Sequence, residues 1–126
     1  MEPCYLTAAA AAAQIREKTL TCEALVRSCL ARIEERDADV RAWSYVDPQH
    51  AIAQARELDK RPAVGPLHGL PFGVKDVIDT ADMPTGQNSP HYVDHRPSKD
   101  AACVAVVPKN GLAMTHCPVN RVVRSK

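Results

Sequence analysis

The chain has 126 residues, 45% of them hydrophobic, which suits one globular domain and excludes a disordered segment. Lysine and arginine number 16 against 15 acids, a net charge of +1, and aromatic residues make up 4%. That balance leaves no basic footprint for nucleic acid or for an anionic membrane.

In chain order, Thr7 is placed to cap a first helix that runs through the alanines Ala8 to Ala13 to about Lys18. The alanine run is too short and too weakly apolar for a membrane span, and with Glu2 ahead of it there is no basic leader of a signal peptide. Thr21 caps a second helix whose Cys22, Leu25, Val26, Cys29, Leu30 and Ile33 recur at helical spacing as a core-facing stripe. Its cysteines read as small buried hydrophobes. The five cysteines (Cys4, Cys22, Cys29, Cys103 and Cys117) form no Cys-x-x-Cys pair and are odd in number. They predict reduced thiols in a cytoplasmic protein rather than a disulfide framework or zinc ribbon.

Residues 41–46, Arg-Ala-Trp-Ser-Tyr-Val, predict a strand cut off by Asp47-Pro48, with Trp43 as a core or half-buried anchor. Asp47 then caps, and Pro48 starts, a third helix to about Asp59 with a thin face of Ile52, Ala55 and Leu58. Arg61 to Val64 is a linker. Beyond it Gly65-Pro66 makes a turn, and the run from Phe72 to Ile78 predicts a buried strand in which Lys75 and Asp76 point to opposite faces. A lysine buried in such a strand would be driven toward the neutral amine, a competent general base for a serine hydroxyl. The alternative places Lys75 near a strand end, with its ammonium in solvent or paired with Asp76 or Asp79.

Asp79 to Pro97 holds Pro84, Gly86, Asn88 and Pro90 and predicts a long loop or broken hairpin, a place where function often resides. His91 and His95 are four apart but flanked by Pro90 and Pro97, so they predict surface histidines and no metal site. Asp100 is placed to cap a fourth helix bearing Ala101, Ala102, Val104, Ala105 and Val107; Pro108 interrupts it, Gly111 stops it, and Leu112-Ala113-Met114 starts another strand. The basic residues Arg121, Arg124 and Lys126 mark a solvated end. The expected parts are a mainly helical 1–62, a lysine-bearing strand, loop and helix at 63–107, and a divergent tail at 108–126.

Residues 65–80, Gly-Pro-Leu-His-Gly-Leu-Pro-Phe-Gly-Val-Lys-Asp-Val-Ile-Asp-Thr, resemble the lysine-bearing segment of the amidase signature family, amide hydrolases and amidotransferase A-type subunits. The similarity continues through Asp82-Met83-Pro84-Thr85, Ser89-Pro90, His95-Arg96-Pro97 and Asp100 to Ala105. The resemblance implies an α/β fold, incomplete here: N-terminal helices, then the first strands and helix of a mixed sheet. It implies Lys75 as the base of a Ser–cis-Ser–Lys triad, and a loop near the substrate pocket that makes Met83, Thr85 and Ser89 pocket residues. It also implies a small-molecule amide as substrate and no cofactor.

The family's Gly/Ser-rich segment, source of both serines, falls past the end of this chain, and none of Ser28, Ser44, Ser89, Ser98 and Ser125 lies in such a run. The chain alone is therefore expected to be inactive. The alternatives are a non-catalytic interaction fragment or part of an amidotransferase A-type subunit. A sheet edge and helix faces left uncovered predict self-association.

Overall fold

The computed structural model describes residues 1–106 and the backbone of 113–116. Expectations for Val107, Pro108, Gly111, Leu112 and the segment from Cys117 onward lie outside the described residues.

Helix α1 (Ala8–Arg16) starts at Thr7, whose side chain accepts from the Ala10 N–H at 3.2 Å. It ends two residues earlier than the alanine run suggested. Lys18 turns into the left-handed region (φ 59°), the Lys18 N–H bonds to the Ile15 carbonyl, and the Thr19 N–H reaches back to that of Gln14. This is the Schellman closure of a helix, here with lysine at the position glycine usually holds. Helix α2 (Cys22–Val40) is capped by Thr21, which accepts from the Ala24 N–H at 3.0 Å. Asp59, the last residue of α3 (Pro48–Asp59), caps the same end from across the fold, accepting from the Cys22 and Glu23 N–H groups at 2.7 and 3.0 Å. A carboxylate there offsets both the orphan donors and the positive end of the helix dipole. Asp47 caps α3 through the His50 N–H at 2.9 Å, with Pro48 at the first helical position.

Residues 41–46 form no strand. The Asp37 side chain takes the N–H groups of Ala42 and Trp43, and Arg41 is left-handed at φ 51°, so the backbone is committed to ending α2 rather than to pairing. Trp43 is half-buried, as its size predicts.

The three helices enclose a first core of Ala11, Ala12, Ile15, Cys22, Leu25, Val26, Ala51, Ile52, Ala55 and Leu70. The Gly65–Leu70 turn closes onto it. Gly69 sits at φ 78° against Cys22, where a Cβ would collide with the thiol, so this position needs glycine twice over. His68 is buried at 4% exposure, with its Nε2 3.2 Å from the Leu58 carbonyl, tying the turn to the end of α3.

Strand β1 (Pro71–Val74) pairs in parallel with β2 (Ala113–His116), register Pro71 to Ala113 through Val74 to His116. The strand is shorter than the expected Phe72–Ile78. After Val74 the chain turns, with the Ile78 N–H donating to the Lys75 carbonyl at 2.9 Å. Lys75 is consequently exposed just past the strand end, not enclosed in an apolar strand; the alternative placement is the one found.

A second core of Val74, Met83 and Val104, flanked by Tyr45, Phe72, Ile78 and Ala101, lies under the loop. Helix α4 (Ala102–Ala105) is one turn long, preceded by Ala101 without a side-chain cap. Asp100 does not cap it. Its carboxylate accepts instead from the Ala81 N–H at 2.8 Å, while the Ala101 N–H donates to the Asp79 carbonyl, stitching the two ends of the 79–100 loop together.

Candidate active-site segment

Lys75 and Asp76 follow directly on the C-terminal end of β1, and in open α/β sheets ligands gather outside the carboxyl ends of parallel strands. The two side chains have opposite fates: Lys75 is exposed and Asp76 is buried, 8% exposed.

Asp76 organises the loop. One carboxylate oxygen accepts from the Gly86 N–H at 2.7 Å, and the Asp76 carbonyl accepts from the Gln87 N–H at 2.9 Å. A Cβ on Gly86 would stand 3.0 Å from the other carboxylate oxygen, so a side chain there would push the carboxylate aside by a few tenths of an ångström. Gln87 and Asn88 then take left-handed backbone (φ 51° and 53°), and the Ser89 N–H closes the turn on the Gly86 carbonyl. Further along, the Thr85 N–H donates to the His95 carbonyl. At the loop's start Asp82 lies 3.0 Å from His50 Nε2 on α3, tying the loop to the helical layer.

Between this loop and Ser44-Tyr45 lies an open hollow of about 420 Å³, lined by Asp76, Pro84, Gly86, Asn88, Ser89 and Val93 among others. Ser89 lies on its wall and caps a 3-10 turn, Pro90–Tyr92, by accepting from the His91 N–H. Met83 and Thr85, on either side of the lining residue Pro84, are buried and do not line the hollow. Met83 is packed in the second core, and Thr85 is fully buried with its hydroxyl oxygen unpartnered among the described residues. Lys75 is not among the lining residues. His91 and His95 are exposed, and no group of three or more His, Cys, Asp or Glu among the described residues could hold a metal ion.

Sequence reasoning missed the anchoring role of Asp76, which it treated only as a partner for Lys75. The available signal was Gly86-Gln87-Asn88, a glycine followed by a residue tolerant of left-handed backbone, but it does not identify which carboxylate the glycine approaches. Asp59 as a second cap for α2 was equally invisible, because the two lie 37 residues apart.

Comparison with known proteins bears on what this segment belongs to. The Amidase family profile matches residues 24–116, more than half of the chain. The A-type subunit of the glutamyl-tRNA(Gln) amidotransferase of Chloroflexus aggregans is 38% identical over 104 residues, 79% of this chain and 21% of the relative. A putative amidase, AmiD, of Mycobacterium tuberculosis is 40% identical over 95 residues, 72% of this chain and 20% of the relative. The chain thus spans about a fifth of the length of these curated relatives. Among solved structures, the peptide amidase of Stenotrophomonas maltophilia superposes with a TM-score of 0.84 at 29% identity, over 92% of this chain and 25% of that one. The helices, the short parallel pair and the segment around Lys75 therefore correspond to the N-terminal part of an amidase-type α/β fold, and the chain belongs to the amidase signature family.

Proposed function

We propose that this chain supplies the base of an amidase active site: Lys75 takes a proton, through a bridging serine held in a cis peptide, from a nucleophilic serine that attacks a small-molecule amide. The observation that carries this reading is the family match across 24–116, with Lys75 at the carboxyl end of a parallel strand. Asp76 fixes the loop beside it, Ser89 forms part of the pocket wall, and Met83 and Thr85 are buried on either side of the wall residue Pro84.

Lys75 is exposed, so the apolar enclosure that would keep its amine neutral has to come from polypeptide packed over the strand end. The chain has no serine in a Gly/Ser-rich run. General-base assistance without a nucleophile and oxyanion donors opens no acyl-enzyme route. The 126-residue chain alone is accordingly an inactive portion of an amide hydrolase; its cysteines, odd in number and without a Cys-x-x-Cys pair, suit the cytoplasm, and its exposed apolar residues suit self-association. A second reading, part of an amidotransferase A-type subunit, is favoured by the names of several relatives.

A serine-reactive fluorophosphonate probe separates these statements from ordinary hydrolase activity. The purified chain should remain unlabelled; stoichiometric labelling of any serine would mean that it carries its own nucleophile.

A further inference from the structure

Cys4 lies before the Amidase match and Cys29 near its start, and the proposed chemistry uses neither. The N-terminal 3-10 turn, Pro3–Tyr5, is held on α2 at two points. The Cys4 N–H donates to the Ser28 hydroxyl at 3.1 Å, and the Arg32 guanidinium stands over the Tyr5 ring, 5.4 Å from its centre. Ser28 and Arg32 are one helical turn apart, and Cys29 lies between them, three residues before Arg32 and hence on the same side of α2. Both cysteines line one hollow of about 250 Å³, together with Arg32, Ile33, Trp43 and the β1 residues Pro71 to Gly73. Both are free thiols of intermediate exposure, whereas Cys22 is buried in the first core and Cys103 is exposed on α4.

We propose that Cys4 and Cys29 form a peroxide-responsive dithiol, closing to an intramolecular disulfide that clamps the N-terminal turn onto α2. The steps balance. The Cys4 thiolate attacks a peroxide oxygen, the O–O bond breaks, and hydroxide or alkoxide leaves, giving the sulfenic acid. The Cys29 sulfur then attacks the Cys4 sulfur, the S–O bond breaks, and water leaves. In sum two thiols are oxidised by two electrons and one peroxide is reduced. The charges facing the pair are Arg32, which lines the hollow and is paired with Glu35 at 2.8 Å, and Glu2, whose carboxylate accepts from the Cys4 thiol at 3.8 Å. Cys29 is the resolving partner. Burial, with Cys4 nearby as the lesser cause, pushes its thiol up, so ring closure should quicken as pH rises.

The test is to treat the purified 126-residue chain with hydrogen peroxide at low protein concentration, alkylate it, digest it with trypsin without reduction and map the peptides. The expected result is a monomer lighter by two hydrogens, in which Met1–Arg16 is joined to Ser28–Arg32. Cys4→Ser and Cys29→Ser should each abolish the link, and Cys103→Ser should leave it intact. The wild-type map stands by itself if either variant fails to fold. Linkage through Cys22, Cys103 or Cys117, a disulfide between two chains, or both thiols still open to alkylation after peroxide treatment would overturn the proposal.

Discussion

Asp76 is the residue on which the described half of the site depends. Its buried carboxylate holds the Gly86 N–H, and charged hydrogen bonds of this kind contribute about 1.5–3 kcal/mol each. Asp76→Ala should therefore lower stability by about 1.5–3 kcal/mol, read from urea denaturation, and speed amide exchange at Gly86. Asp76→Asn keeps an acceptor and should lose less. An unchanged midpoint in the alanine variant would show that the loop needs no clamp. Around Lys75, next to Asp76, the flanking residues were specific enough to mark the family, which the profile match over residues 24–116 bears out. The exposure of Lys75 was one of two placements the sequence left open, since it depends on where the strand stops, and that is set by the turn from Lys75 to Ile78 rather than by the apolar pattern. Met83 and Thr85 show the converse: their burial comes from the fold of the loop onto Val74 and Val104, a contact no local spacing encodes.

Among the elements, the helices were the most readable. Thr7, Thr21 and Asp47 cap as their residue types demand, because an N-cap is a contact over two or three residues. The strands at Phe72 and at Ala113-Met114 were readable in place though not in length, whereas the strand expected at 41–46 and the caps from distant residues failed. Residues 41–46 have strand composition but lose their donors to Asp37, and Asp100 turns away from α4 to hold Ala81. Helices α2 and α3 are further joined by Glu23, which pairs with Arg56 at 2.9 Å and Arg27 at 2.7 Å. The hydrogen bond from Arg56, then that from Arg27, holds the Glu23 carboxyl down at about 2. Because the folded value lies below the ordinary 4.5, this pairing stabilises the helix pair above pH 4.5 and is lost as the pH falls toward 2. Thermal unfolding of wild type and Glu23→Gln should thus differ above pH 4.5 and converge on acidification. A constant gap across that window would remove Glu23 as the cause.

At the scale of the whole molecule, the chain carries two small cores and a two-stranded parallel pair, joined by no third strand among the described residues. Leu67, Val77, Val93 and Val106 are 44–64% exposed, apolar surface that flanks the lysine segment, the loop and α4. Such surface beside a short sheet predicts self-association. Sedimentation over a micromolar concentration series should show mass rising with concentration, and a constant monomer mass would contradict that. No helix among the described residues is long and apolar enough to cross a membrane.

The central claim is that Lys75 is the proton acceptor of an amidase site completed by other polypeptide. The direct measurement replaces the matching segment of the Stenotrophomonas maltophilia peptide amidase with residues 24–106 of this chain and compares amide hydrolysis with and without Lys75→Ala. The account predicts a working chimera whose kcat falls about 100- to 10,000-fold on the substitution. Equal kcat in the two proteins would contradict it.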